Sequence, residues 1–208
     1  MRILFSFLII GILASAWAAN EYLGGLAEDK SGKIQREFTV KVSSLEPDAL
    51  AGKAGAQFKL ARLYETATPI VADLGLAAQW MERAALKGHI KAQYYYATML
   101  EQGRGVSRNI KSAILWYQRA SRNGEDADAQ YALGRLYAAG IGVGNDVIQS
   151  SDWYQRAALG GNPAAQYMVG RMHETGWGVR ADPIKAYMWY LLANKHRERA
   201  ISIDPKND

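Results

Sequence analysis

The chain has 208 residues, a formal net charge of +5 and no cysteine. Without cysteine it has no disulfide, no thiolate metal ligand and no cysteine nucleophile. Hydrophobic residues make up 49% of the chain, which is enough to build a core and excludes an intrinsically disordered protein.

The first segment, residues 1–18, has the composition of a signal peptide. Arg2 precedes an apolar run that begins at Ile3, and residues 16–18 fit the small-residue pattern of a cleavage site. We predict cleavage after Ala18 and therefore a periplasmic or secreted protein. An uncleaved anchor is the alternative, and it would be the only attachment to a membrane. Because an exported protein meets little nucleic acid, we do not take the basic charge as a sign of nucleic-acid binding.

Residues 19–50 contain no repeat and are rich in charged residues of both signs. We interpret this segment as a linker that is partly disordered. Within it, apolar and polar residues alternate over residues 38–42, which predicts a short strand as the alternative.

A repeat occupies residues 51–197. One glutamine and one tryptophan both recur at spacings of 36, 37 and 36 residues, and they are 23 residues apart in every copy. The glutamines are Gln57, Gln93, Gln130 and Gln166, and the tryptophans are Trp80, Trp116, Trp153 and Trp189. The four repeats are about residues 52–88, 89–124, 125–161 and 162–197. Such a period predicts helical hairpins that stack in a row, because one hairpin cannot bury its apolar faces alone.

Each repeat is predicted to hold two helices, A and B. Helix A carries apolar residues at i, i+4 and i+7, as at Ala129, Leu133 and Leu136, and in three copies it ends in a Gly-x-Gly-Val turn whose valine we expect to contact the core. Helix B begins at an Asp or Asn that can cap its free backbone N–H groups. These capping residues are Asp73, Asn109, Asp146 and Asp182. We expect the tryptophan of helix B to fill the space between neighbouring repeats.

The complete pattern is clearest in residues 126–161: Ala-Gln, then Gly-x-Leu-Tyr, Gly-x-Gly-Val, and Trp-Tyr-x-x-Ala-Ala. It resembles the Sel1-like repeat, a subfamily of the tetratricopeptide-like α/α solenoids. The resemblance implies an all-α fold, a right-handed α/α solenoid of about four hairpins, with helix A on the concave side. Residues 66–69 depart from the pattern, since they replace the Gly-x-Gly-Val turn in the first repeat. The cysteine-rich secreted branch of this family has a disulfide in each repeat, so the properties of that branch are not transferred.

The chain closes with a polar segment, residues 198–208. The basic residues just before it, Lys195, His196 and Arg197, suit a helix C-terminus because they offset the helix dipole. We predict that this segment extends the last helix B and forms a capping surface.

No residue pattern indicates catalysis. His173 and Glu174 do not begin a His-Glu-x-x-His zinc motif, and the paired glycines follow a helix and lack the Gly-Lys-Ser/Thr ending of a phosphate loop. Glu65, Glu101 and Glu174 recur at one repeat position, which Ala138 interrupts, and we interpret them as solvated glutamates. We therefore predict that the protein is not an enzyme and has no cofactor and no metal.

Two positions of helix A that point away from the predicted core are candidates for partner binding. One carries Lys59, Tyr95, Ala132 and Met168, and the other, three residues later, carries Arg62, Thr98, Arg135 and Arg171. Residues three apart share a helix face, so these side chains should line one groove. Arginine pairs with carboxylates, and aromatic and methionine side chains give adaptable apolar contacts. The predicted binding residues are Lys59, Arg62, Tyr95, Thr98, Arg135, Met168 and Arg171, and ordinary solvated helix positions are the alternative.

These features predict a non-catalytic scaffold or adaptor of the bacterial cell envelope, or a secreted one. It would hold a peptide or helix of another protein, expected to be acidic, in its concave groove. A cell-wall ligand binder or hydrolase, as suggested for some secreted relatives, is the alternative. Delivery into a host cell as an effector is a third hypothesis.

Overall fold

The computed structural model describes residues 30–67, 72–124 and 126–202. Within these ranges the chain is all-α, with nine helices and no strand. The helices are α1 (30–50), α2 (Ala54–Thr66), α3 (Leu74–Leu86), α4 (Ile90–Gln102), α5 (Ile110–Gly124), α6 (Ala127–Ala139), α7 (Val147–Leu159), α8 (Pro163–Thr175) and α9 (Pro183–Ser202). The predicted signal peptide, residues 68–71 of the first turn and residues 203–208 of the polar segment lie outside the described residues.

Helices α2 to α9 pack in chain order as a solenoid. The pairs α2–α3, α4–α5, α6–α7 and α8–α9 form the four hairpins, and α3–α4, α5–α6 and α7–α8 join one hairpin to the next. Buried apolar residues continue from hairpin to hairpin. The predicted all-α solenoid of four hairpins is therefore confirmed. None of the helices in the described ranges has the length and hydropathy that crossing a bilayer requires.

The predicted starts of the B helices are confirmed by their caps. The carboxylate of Asp73 accepts a hydrogen bond from the backbone N–H of Leu76 at 2.9 Å. Asn109, Asp146 and Asp182 cap the later B helices in the same way. Each cap satisfies a backbone donor that has no partner within its helix, which is worth about 1 kcal/mol.

The Gly-x-Gly-Val turns end the A helices and lie against the preceding hairpin. In the third repeat the second glycine, Gly142, has a φ of 75° and lies so close to α5 that a Cβ atom would come within 2.3 Å of Ile110. Val143 of the same turn packs against the core, as predicted. The turn thus fixes the spacing between neighbouring hairpins.

The prediction that the tryptophans fill the space between repeats holds only in part. Trp80 is buried, but Trp116 is half-buried, and the guanidinium of Arg119 lies 4.4 Å over its ring. In the first three repeats the residue after the tryptophan is the more deeply buried one, since Met81, Tyr117 and Tyr154 expose only 0%, 1% and 3% of their surface. Adjacent helix positions differ by about 100°, so the apolar pattern alone did not tell which of two neighbouring aromatic residues faces inward.

Residues 30–50 form helix α1, so the strand predicted over residues 38–42 is wrong and the linker prediction does not hold for this part. Apolar residues recur here at helical spacing, and they form one face toward the first hairpin. Val42 and Leu45 pack against the core, and the ring of Phe38 lies 5.4 Å from that of Tyr64. The alternation over five residues was too short a pattern to distinguish strand from helix.

Helix α1 takes the place of a helix B before the first repeat. Ala49 is fully buried, and its carbonyl accepts a hydrogen bond from Nε2 of Gln57 at 3.0 Å. The same bond recurs in later repeats, from Gln93 to Ala85 at 3.2 Å and from Gln166 to Ala158 at 3.1 Å. The repeated glutamine therefore ties each of these A helices to a carbonyl near the end of the preceding B helix, which also accepts the backbone N–H three residues later.

Candidate functional site

The A helices meet at three junctions, which we call the first (α2 and α4), the second (α4 and α6) and the third (α6 and α8). At the second junction an acidic repeat position of one hairpin meets a basic repeat position of the next, as Glu101 meets Arg135, and the same two positions recur at the other junctions. The acidic position holds Glu65, Glu101, Ala138 and Glu174, and the basic position holds Arg62, Thr98, Arg135 and Arg171. The side chains at these positions decide how much charge each junction leaves for a partner.

A buried carboxylate closes the second junction. One oxygen of Glu101 forms an ion pair with Arg135, and the other accepts a hydrogen bond from the hydroxyl of Tyr117 at 2.8 Å. The Glu101 side chain exposes only 16% of its surface. It therefore connects three helices, α4, α5 and α6, and neutralises the arginine.

The pKa values of Tyr117 and Arg135 follow from their contacts with Glu101. Burial, together with the Glu101 carboxylate, raises the pKa of the Tyr117 hydroxyl. Burial acts to lower the pKa of Arg135, but the hydrogen bond and charge of Glu101 raise it overall. At neutral pH the tyrosine is a neutral donor and the arginine is fully charged, so both stabilise the carboxylate.

At the first junction a single glutamate pairs with two arginines. Glu65, with 6% of its side chain exposed, pairs with Arg62 at 2.6 Å and with Arg104 at 3.2 Å. Arg62 also lies 4.4 Å over the ring of Tyr95, a cation–π contact between neighbouring hairpins. Thr98, at the basic position, donates its hydroxyl hydrogen bond to the backbone carbonyl of Tyr95 at 2.7 Å.

The prediction of solvated glutamates is therefore wrong for Glu65 and Glu101. Both are largely buried acceptors, and only Glu174 remains exposed, where it accepts a hydrogen bond from Tyr190 at 2.6 Å. The sequence places each glutamate on a polar helix face. It does not reveal that an arginine from the next hairpin covers that face.

The third junction lacks a carboxylate because Ala138 occupies the acidic position. Arg171 is exposed and forms no ion pair with the part of the chain that the structure describes. The hydroxyl of Tyr154, which matches Tyr117 in the repeat, likewise has no hydrogen bond within the described ranges. Burial raises the pKa of Tyr154 to about 12, so its hydroxyl is a neutral donor.

An open cleft of about 550 Å³ lies at the third junction. Its lining residues are Ala138, Met168, Arg171, Met172, Thr175, Gly176 and Trp177. A guanidinium thus stands beside two methionines and a tryptophan, a combination that suits a ligand with both a negative charge and an apolar group.

The structure places the predicted binding residues in three kinds of surroundings. Arg62 and Tyr95 contact each other, Met168 and Arg171 line the cleft, and Arg135 is engaged by Glu101. Thr98 is bonded to its own helix and Lys59 is exposed on α2, so neither is brought to the cleft.

The sequence analysis noted that Ala138 interrupts the acidic position but did not relate this gap to Arg171 of the next repeat, and it did not consider Trp177 in its turn. Comparing the acidic and basic positions between successive repeats would have revealed that Arg171 lacks a carboxylate.

The histidines that the structure describes have structural surroundings. His89 caps α4, because its Nδ1 accepts a hydrogen bond from the backbone N–H of Ala92 at 3.2 Å, and burial lowers its pKa. His173 is half-buried, and its Nδ1 lies 3.3 Å from the carbonyl of Arg180. Among the described residues, no group of three or more His, Asp or Glu side chains is placed to hold a metal ion.

The sequence model of the Sel1 repeat matches four segments, residues 54–89, 90–125, 127–162 and 163–196. The chain belongs to the Sel1 repeat family. The predicted resemblance is thereby confirmed. Sel1 repeat proteins generally mediate protein–protein interactions and are typically non-catalytic scaffolds. Among curated proteins, none matches this Sel1 repeat chain.

Solved bacterial structures resemble this Sel1 repeat protein. One is c5321, a protective antigen of uropathogenic Escherichia coli with an SLR fold, at 32% identity and a TM-score of 0.70 over 74% of this chain. Another is a Sel1 repeat protein from Oxalobacter formigenes, at 32% identity and a TM-score of 0.66 over 71% of this chain. The chain spans 33% of the first protein's length and 58% of the second's. Helicobacter pylori cysteine rich protein B shares the fold, at 15% identity and a TM-score of 0.50 over 59% of this chain and 90% of its own.

Proposed function

We propose that this Sel1 repeat protein is a non-catalytic scaffold of the bacterial cell envelope, or a secreted one. It holds a segment of a partner protein in the concave groove along its A helices. The observation that carries the proposal is the third junction, where Met168 and the exposed Arg171 line an open cleft and Arg171 has no ion pair among the described residues. Export is supported by the signal-peptide pattern of residues 1–18.

The partner segment is expected to be acidic. Arg62, Lys91 and Arg135 form ion pairs with carboxylates of the chain. Among the described residues this leaves the exposed Lys59 and Arg171 as the lysine and arginine side chains of the A helices without an ion pair. Attraction by such charges raises the association rate and weakens with added salt.

Site-specific photo-crosslinking in the native envelope tests this proposal. A photoreactive amino acid is introduced at Met168 in the groove and, as the matched control, at Ile148, which exposes 68% of its surface on a B helix. We expect one protein to crosslink from position 168 and not from position 148, and mass spectrometry identifies it. Equal crosslinking from both positions would contradict binding in the groove.

The location of the protein is tested separately. Cell fractionation and N-terminal sequencing of the mature protein should place it in the periplasm or the medium, beginning at Ala19. A mature protein in the cytoplasm that retains Met1 would contradict the envelope assignment.

A further inference from the structure

The second and third junctions differ by one missing carboxylate. In the second, Glu101 receives the guanidinium of Arg135 and the hydroxyl of Tyr117. In the third, Arg171 and Tyr154 hold the same two repeat positions, but the residue between them is Ala138. Arg171 therefore lines the cleft without the carboxylate that holds Arg135 at the second junction, whereas Tyr154 is not among the lining residues.

Tyr154 is packed inside the third junction and does not reach its open cleft. A Cβ atom on Gly134 would lie 2.7 Å from the ring of Tyr154, so the absence of a side chain there allows the ring to lie against α6. Tyr154 is 3% exposed, and Tyr131 lies 5.7 Å from it, ring centre to ring centre. The hydroxyl of Tyr154 is thus held by a close-packed ring.

At two repeat positions the apolar side chains are larger at the third junction than at the second. The repeat positions that hold Ala132 and Ile141 at the second junction hold Met168 and Trp177 at the third, where both line the cleft. Larger apolar side chains beside an unpaired arginine provide a place for an apolar side chain next to a negative charge.

We infer that the third junction is an anchoring site for an Asp or Glu side chain of the partner segment, with an adjacent apolar side chain of that segment in the cleft. The incoming carboxylate takes the place of the missing glutamate and accepts hydrogen bonds from Arg171. The apolar neighbour packs between Met168 and Trp177. This inference rests on the proposed function, because it assigns the recognition chemistry of the same groove.

Charge complementarity selects this occupant. Glu101 shows that this fold accommodates a carboxylate against the arginine of the basic position, since its own carboxylate is held there in the preceding repeat. A charge-assisted hydrogen bond is about twice as strong as a neutral one, and arginine can bind both carboxylate oxygens at once. A purely apolar segment would fill the cleft but leave the guanidinium without an anion.

The decisive variant is Ala138→Glu, which supplies the missing carboxylate from within the chain. The matched control is Ala139→Glu, which adds the same charge at the next, exposed position of α6. Both full-length variants and the wild-type protein are used to select from a phage-displayed library of random dodecapeptides. We expect the wild type and Ala139→Glu to enrich peptides with Asp or Glu next to Leu, Met or Phe, and Ala138→Glu not to enrich them.

The enriched peptide is then synthesised in three forms: unchanged, with its acidic residue replaced by Gln or Asn, and with an amidated C-terminus. Loss of the side-chain carboxylate should weaken binding to the wild type about tenfold or more in Kd. Amidation should leave the Kd unchanged. Dependence on the free C-terminus instead would overturn the assignment to an acidic side chain.

Two further results separate this inference from the proposed function. If Ala138→Glu and Ala139→Glu bind the peptide equally, the anchoring site is wrong, whereas a crosslink from position 168 would still support groove binding. If neither the library nor the crosslinking yields a ligand, the proposed function fails and the anchor fails with it. Should Ala138→Glu not fold, Arg171→Met replaces it, and unchanged peptide affinity in that variant would equally overturn the anchor.

Discussion

The second and third junctions are formed by equivalent A helices of successive repeats, yet they present different surfaces. At the second, Glu101 joins Arg135 to Tyr117 and leaves little charge for a ligand. At the third, Ala138 leaves Arg171 exposed beside Met168 and Trp177. The backbone and the donor positions are repeated in both. One side chain at the acidic position therefore decides whether a junction stabilises the solenoid or is open to a partner.

The largest effect expected from this comparison is on stability. Glu101→Ala removes the acceptor of a buried hydroxyl and the counter-charge of Arg135, and we expect it to lower the free energy of unfolding by about 2–4 kcal/mol. The matched variant is Glu174→Ala, at the same repeat position but exposed, with an expected loss below about 1 kcal/mol. Urea denaturation followed by circular dichroism measures both. Equal losses would mean that the glutamate of the second junction has no special role.

Removing the hydroxyl from Tyr117 or from Tyr154 should give a smaller difference in stability. Tyr117→Phe and Tyr154→Phe each remove one hydroxyl from a buried ring, but only Tyr117 donates to a carboxylate. We expect a loss of about 1–2 kcal/mol for the first variant and less than about 0.5 kcal/mol for the second. The same denaturation measurement applies. A larger loss for Tyr154→Phe would show that its hydroxyl already has a partner.

The variant Ala138→Glu, which restores the missing carboxylate, tests the comparison at the third junction. Ala138→Glu should raise the free energy of unfolding by up to about 1 kcal/mol, because its carboxylate gains an ion pair with Arg171, which lies beside it in the cleft. Ala139→Glu, on the same helix, should leave it within about 0.5 kcal/mol of the wild type. Thermal unfolding detects the difference, and no stabilisation by Ala138→Glu would mean that the third junction does not reproduce the geometry of the second.

The smallest effect concerns the caps of the A helices at these junctions. Helix α4 is capped by Nδ1 of His89 and α8 by Asn162, whose side chain accepts from Ala165 at 2.8 Å. Burial lowers the pKa of folded His89 below its ordinary value of 6.5, so the unfolded chain binds more protons as the medium becomes acidic. The stability that His89 contributes is therefore complete above pH 6.5 and is lost as the pH falls below it.

His89→Asn isolates this pH effect, because it keeps a capping acceptor and removes the titrating group. Denaturation at about pH 7.5 and about pH 5 compares it with the wild type. We expect the variant to lose less stability between the two values, by up to about 1 kcal/mol, the size of one cap. An equal loss in both proteins would assign the pH dependence to another group.

Much of the fold was predictable because its signals are local. The caps at Asp73 and Asp146 bond to an N–H three residues ahead, and Gly142 is required by the backbone of its own turn. Helix α1 was missed because its apolar spacing lies outside the four complete repeats. Ala49 is nevertheless in phase with Ala85 of the next B helix, so the period itself could have revealed it.

The candidate site was predictable only in part. Arg62, Arg135 and Arg171 occupy one repeat position and looked equivalent in the sequence, but the structure pairs the first two with glutamates and leaves the third exposed. The carboxylate that neutralises Arg135 is 34 residues away in the chain. No local pattern reports such a contact.

The sequence by itself determined the period, the helix pairs, the caps and the turns, because these depend on bonds between residues a few positions apart. Tertiary structure alone decided which aromatic residue faces inward, which glutamates are buried and which arginine keeps its charge accessible. The physical reason is that burial and charge compensation depend on the neighbouring hairpin, whose side chains meet across a junction formed only when the solenoid has folded.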